Sequence, residues 1–211
     1  MQANTLELVF VLDRSASMFG LEAVTVKHFN SMIEKQKQYP LKCIVTTVLF
    51  DTVCETVHDS VEVKDMYPLK KAQFEPHGHT ALMDAIGGSI EHINRIHQQE
   101  HRNDFSAQTV FVIITDGMEN ASKKYDIDTV RKLIEEQTEN NGWKFLFLGA
   151  NMNALAMAQE LGISDTNAVT YINDFQGILL NYEAVSRAIM EYRETGNISS
   201  SWKETIVQCV D

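Results

Sequence analysis

Oxygen-bearing side chains cluster in three short stretches: Asp13-Arg14-Ser15-Ala16-Ser17, His77-Gly78-His79-Thr80 and Asp116-Gly117. Residues two apart in an extended segment face the same side, so Asp13, Ser15 and Ser17 can converge on one point. With Thr80 and Asp116 they make a donor set of carboxylates and hydroxyls, with no thiolate. Such a set suits a hard cation, Mg²⁺ or alternatively Mn²⁺ or Ca²⁺, and not zinc. Turn-forming and helix-capping roles compete for the same residues: Asp13 and Ser15 after a strand, Thr80 before a helix, Asp116 in an Asp-Gly turn.

The elements that must position these groups alternate between two periods. Leu6–Leu12, Leu41–Phe50, Thr109–Thr115, Trp143–Leu148 and Ala168–Ile172 are short apolar runs that read as buried strands. Thr52–His58 reads as a further strand, joined to its predecessor at Asp51 as an antiparallel edge hairpin, and a short strand is expected at Val61–Val63. Helical spacing marks Gly20–Gln38, Ala81–His97, a segment starting at the cap Asp126, Asn153–Leu161, and Phe175–Glu194 capped by Asn173 or Asp174. Gly87-Gly88 sits inside a helix at a cost of about 1 kcal/mol per glycine, which predicts close packing on the sheet there. Alternation of strands with long helices predicts an α/β fold: a Rossmann-like, doubly wound, mainly parallel sheet with one antiparallel edge strand and helices on both faces. In such sheets ligands bind beyond the carboxyl ends of the strands. Asp13 and Asp116 directly follow two of those ends.

The set DRSAS, the Thr80 of GHTAL and the Asp116 of TDG resembles the metal-ion-dependent adhesion site (MIDAS) of von Willebrand factor A domains. The resemblance covers the element order from about Leu6 to Glu194. It implies an A domain over 1–196 with a tail, 197–211, packed on it, and a stand-alone, prokaryotic-type protein. It implies Ser15, Ser17 and Thr80 as direct metal ligands, with Asp13 and Asp116 acting through water. Neutral hydroxyl ligands leave most of the cation's charge uncompensated, so the Asp or Glu carboxylate of a protein partner can take an open position. Ala16 and His79 stand where family members often have glycine. Neither is a ligand position, although His79 could touch the bound group. Glu119, Asn120 and Asp51 are expected as polar groups around the site or in turns.

Composition narrows the alternatives. The 211 residues carry 18 Lys+Arg against 29 Asp+Glu, a net charge of −11, which argues against nucleic acid. Three widely spaced cysteines, Cys43, Cys54 and Cys209, offer no disulfide framework or CxxC pattern, and no long apolar run suggests a membrane span. A cytoplasmic, non-enzymatic binding module is therefore expected, with its oligomeric state open. The competing reading is a Mg²⁺-dependent phosphatase or hydrolase of haloacid-dehalogenase-like type with Asp13 as nucleophile. Such chemistry wants a second acid two residues on, where this chain has Ser15. A serine hydrolase lacks its GxSxG elbow. The pairs His77/His79 and His97/His101 read as solvated histidines, not zinc ligands.

Overall fold

The apolar run at the start of the chain forms the central strand of a six-stranded sheet. A computed structural model describes residues 5–99, 107–150 and 152–210. The strands are β1 (Thr5–Asp13), β2 (Lys42–Phe50), β3 (Cys54–Glu62), β4 (Ala107–Thr115), β5 (Lys144–Ala150) and β6 (Ala168–Tyr171). Their order is β3-β2-β1-β4-β5-β6, with every neighbouring pair parallel except β2 and β3. The helices are α1 (Glu22–Lys37), α2 (Leu82–Gln99), α3 (Ile127–Asn141), α4 (Ala154–Glu160), α5 (Phe175–Thr195) and α6 (Glu204–Val210).

Both faces of the sheet are covered, which is why β1 reads as a continuous apolar run. Leu6, Leu8, Phe10 and Leu12 pack with α1 and α5; the ring of Phe10 meets Phe29 edge-on at 5.3 Å, and Phe29 meets Tyr182. Val9 and Val11 point the other way, into a cluster with Ile86 and Ile90 of α2 and Val130 of α3. Glu7 is the polar exception on β1. It is buried and accepts hydrogen bonds from His97 Nε2 (2.9 Å) and Thr109 Oγ1 (2.8 Å), as a buried carboxylate must.

Local signals set the element ends. Asp126 caps α3 by accepting from Thr129 N, Asp174 caps α5 by accepting from Gly177 N, and Gly142 closes α3 at φ 66°. Two expectations need correction. The hairpin strand is longer than Thr52–His58: it runs to Glu62 through register shifts opposite Thr47 and a left-handed Ser60 (φ 50°), so no separate strand forms at Val61–Val63. Gly87 is compressed not by the sheet but by Tyr125, whose ring would lie 2.6 Å from an added Cβ, while Gly88 faces nothing within 4 Å. Residues after 196 form a 3-10 turn and α6, and Trp202 is in the core, its Nε1 donating to Thr166 O. His101 lies outside the described residues.

Candidate metal centre

The chain leaves β1 toward β2 on one side and reaches β4 on the other side of β1. The loops after β1 and β4 therefore diverge and open a crevice at the carboxyl edge of the sheet. Asp13 is the last residue of β1. Its Oδ1 accepts from Ser15 N (2.7 Å) and its Oδ2 from Thr115 Oγ1 (2.6 Å) at the end of the adjacent β4. The first bond is the turn role expected of an Asp after a strand, and it leaves the carboxylate oriented toward the crevice in a way compatible with a metal role.

Past Asp13 the chain enters a 3-10 turn, Ala16–Met18, which brings Ser15 Oγ and Ser17 Oγ to 2.9 Å. Ser17 Oγ donates to Asp116 Oδ1 (2.6 Å), and Asn173 Nδ2 donates to Asp116 Oδ2 (2.7 Å). Thr80 completes the ring. A Cβ built on Gly117 would lie 2.8 Å from Thr80 Oγ1 and 3.7 Å from Ser17 Oγ, so both hydroxyls stand over this glycine. The structure thus brings all five expected residues together, and Asp13, Ser15, Thr80 and Asp116 are each buried.

Thr80 does not cap α2. Its Oγ1 has no hydrogen-bond partner among the described residues, and the first turn of α2 is satisfied elsewhere: Met83 N donates to Glu119 Oε2 and Asp84 N to Ser122 Oγ. Asn120 clamps the Thr80 main chain from both sides, accepting from Thr80 N (2.9 Å) and donating to Thr80 O (3.0 Å). Glu119 and Asn120 therefore position the site without entering it. Asp51 does the same from the β2–β3 turn: buried, it accepts from Arg14 Nε (2.9 Å) and Val53 N, and its carbonyl receives Ala81 N.

Sequence reasoning missed Arg14 and Asn173. Arg14 is buried and bridges Asp51, Glu55 (2.7 Å) and Gln73 O (2.9 Å), tying β1 to the hairpin and to the segment leading into Thr80. It occupies a position that the DxSxS pattern leaves free, so the motif carries no signal for it. Asn173 was legible only as a possible cap for α5; Asp174 takes that role and frees Asn173 for Asp116.

The electrostatics favour a cation. Burial pushes the Asp13 carboxyl above its ordinary range, against the hydrogen bonds from Thr115 and Ser15. Burial, reinforced by the Asp13 charge and opposed by hydrogen bonds from Ser17 and Asn173, pushes Asp116 up to about 6. Two neighbouring buried carboxylates with raised values favour a nearby positive charge, which a divalent cation would supply. The donor chemistry fits. Neighbouring oxygen ligands of an octahedral Mg²⁺ stand about 2.9 Å apart at ordinary bond lengths, and Ser15 Oγ and Ser17 Oγ already have that separation. The histidines do not converge: His77 Nδ1 donates to Glu75 O, and His79 is exposed. Among the described residues no group of three His, Cys, Asp or Glu could hold a metal, as zinc would want.

No protein-family model matches the sequence, and neither does any curated protein. Solved structures do. Proximal thread matrix protein 1 from the mussel byssus, in a form with a zinc-occupied MIDAS motif, superposes with a TM-score of 0.61 at 14% identity, over 86% of this chain and 47% of that one. A von Willebrand factor type A protein from Catenulispora acidiphila gives 0.59 at 12% identity, over 89% and 43%. This is the von Willebrand factor A fold. The manganese-loaded Plasmodium vivax TRAP protein shares it, with a TM-score of 0.56 at 12% identity over 85% of this chain and 72% of that one. The chain spans about half the length of the first two. At these identities the likeness shows the A-domain fold, while the metal centre rests on this chain's own residues.

Proposed function

We propose that this chain is a metal-dependent protein-binding module, in which a divalent cation at the carboxyl edge of the sheet receives a carboxylate from a partner protein. One observation carries the reading: the Thr80 and Ser17 hydroxyls converge over Gly117, Ser17 is linked to Ser15 and Asp116, and Thr80 Oγ1 has no partner among the described residues. Ser15, Ser17 and Thr80 would bind the cation directly, and Asp13 and Asp116 would hold its waters and balance its charge. Mg²⁺ is the expected ion, with Mn²⁺ and Ca²⁺ as alternatives of the same hard class. The bound cation would act as a Lewis acid toward an incoming carboxylate. Structures of this fold carrying zinc or manganese support a divalent ion in general.

The reading is non-enzymatic. Asp13 is a poor nucleophile here, since both its oxygens accept hydrogen bonds and it is 2% exposed. Ser15 stands where a phosphatase of that type would place its acid. The domain is proposed to span 1–196 with 197–211 packed on it, in a reducing, cytoplasmic setting compatible with three unpaired thiols. Among the described residues no helix is long and apolar enough to cross a membrane. Isothermal titration with Mg²⁺ and Mn²⁺ tests the site: Thr80→Ala and Asp13→Ala should abolish or strongly weaken binding. Equal affinity in the parent and both variants refutes it, and Mg²⁺-dependent phosphate-ester turnover lost in Asp13→Asn would favour the enzyme instead.

A further inference from the structure

Nine large apolar side chains are exposed among the described residues, and they are unevenly placed. Phe19, Val53, Met118, Leu155, Ile172 and Phe175 all follow the carboxyl end of one of the five mutually parallel strands; Leu41, Tyr67 (after the antiparallel β3) and Val207 lie elsewhere. Scattered exposed apolar residues are ordinary, but six on one edge are not, since contiguous apolar surface marks interaction sites.

Three of the six are tied directly to the metal centre. Phe19 (82% exposed) lies two residues after Ser17, Met118 (64%) two after Asp116, and Phe175 (64%) two after Asn173. Ser17, Asp116 and Asn173 are linked by hydrogen bonds of 2.6 and 2.7 Å. Two residues of chain span at most about 7 Å, so the three exposed residues lie beside the crevice on three different loops. Beside Phe19, a cavity of about 470 Å³ is lined by Ala72, Phe74 and Pro76 together with Lys71, Glu22 and Glu75.

Charge decides what this rim receives. Asp13 and Asp116 formally offset a divalent cation, so a loaded centre attracts a distant anion weakly, and the chain as a whole repels one at −11. A free small anion or a polyacidic chain would gain coordination and little else. A carboxylate surrounded by apolar side chains would gain coordination together with burial of the rim.

Building on the metal-dependent reading above, we propose that the partner presents a protein loop with one Asp or Glu flanked by large apolar side chains, seated on Phe19, Met118 and Phe175. The test is panning of a displayed random cyclic-peptide library against the full chain in Mg²⁺, with elution by EDTA. Eluted loops should share one acidic residue with an aromatic or large aliphatic residue within about three positions. A synthesised loop should bind Phe19→Ser, Met118→Ser and Phe175→Ser about tenfold or more weakly, while calorimetry shows their Mg²⁺ affinity unchanged. Polyacidic loops without apolar residues, rim variants within twofold of the parent, or no EDTA-eluted loops from a protein that binds Mg²⁺ would each overturn the proposal. Absence of Mg²⁺ binding by the parent would instead remove the metal reading on which it rests.

Discussion

Gly117→Ala gives the most direct test of the proposed metal centre, because it replaces no candidate ligand. The backbone of Gly117 lies outside the left-handed region, so alanine introduces no torsional strain. Its methyl group would stand 2.8 Å from Thr80 Oγ1, about 0.6 Å short of the 3.4 Å at which ordinary contact begins. Thr80 cannot yield through its main chain, which Asn120 holds on both sides. The relief is rotation about χ1, which takes Oγ1 out of the crevice. Metal sites tolerate ligand displacements of about 0.2 Å, so the variant should behave as if Thr80 were lost. The expected fall in Mg²⁺ affinity is about 10- to 100-fold, read by calorimetry. Metal-free stability should change by no more than about 1 kcal/mol, read by denaturant unfolding in EDTA. Because the effect runs through one hydroxyl, Gly117→Ala combined with Thr80→Ala should bind no worse than Thr80→Ala alone. Binding by Gly117→Ala within twofold of the parent, or additive losses in the double variant, would refute the reasoning.

Other perturbations test the scaffold. Gly87→Ala drives a methyl into the Tyr125 ring and should cost about 1–3 kcal/mol, while Gly88→Ala, with open space, should stabilise by about 0.5–1 kcal/mol; chemical denaturation distinguishes the two. Trp202→Ala should cost about 3–5 kcal/mol, since the ring is 1% exposed and its Nε1 bonds Thr166 O; an effect under about 1 kcal/mol would mean that the tail contributes little to the core. His58 donates Nε2–H to Tyr67 O, and its buried Nδ1 has no partner among the described residues; burial holds its pKa below the ordinary value. The unfolded chain then binds the extra proton, and this contribution to stability is lost as pH falls below about 6.5. Thermal melts from pH 7.5 to 5 should show the loss, and His58→Gln should flatten it.

The candidate site was readable because its groups sit where strand periodicity breaks. Asp13 and Asp116 end apolar runs, and the DxSxS spacing follows from turn geometry just past a strand. Strand and helix order were equally local, since periods of 2 and 3.6 are written residue by residue. The hairpin was misjudged because register shifts opposite Thr47 and a left-handed Ser60 interrupt its alternation, and a bulge breaks the period on which a strand reading depends.

The sequence by itself determined the oxygen donor set, the alternating α/β plan and the acidic balance, all properties of residue type and short spacing. Only the tertiary structure decided which polar groups hold the ligands in place. Thr80 is pinned by Asn120, forty residues away, Asp116 by Asn173, and the whole edge by Arg14 through Asp51, Glu55 and Gln73. Only the tertiary structure left Phe19, Met118 and Phe175 exposed after three strand ends at one edge of the sheet. These contacts depend on the strand order, which puts β1 and β4 side by side although about a hundred residues separate them, and no local pattern encodes which strand ends become neighbours.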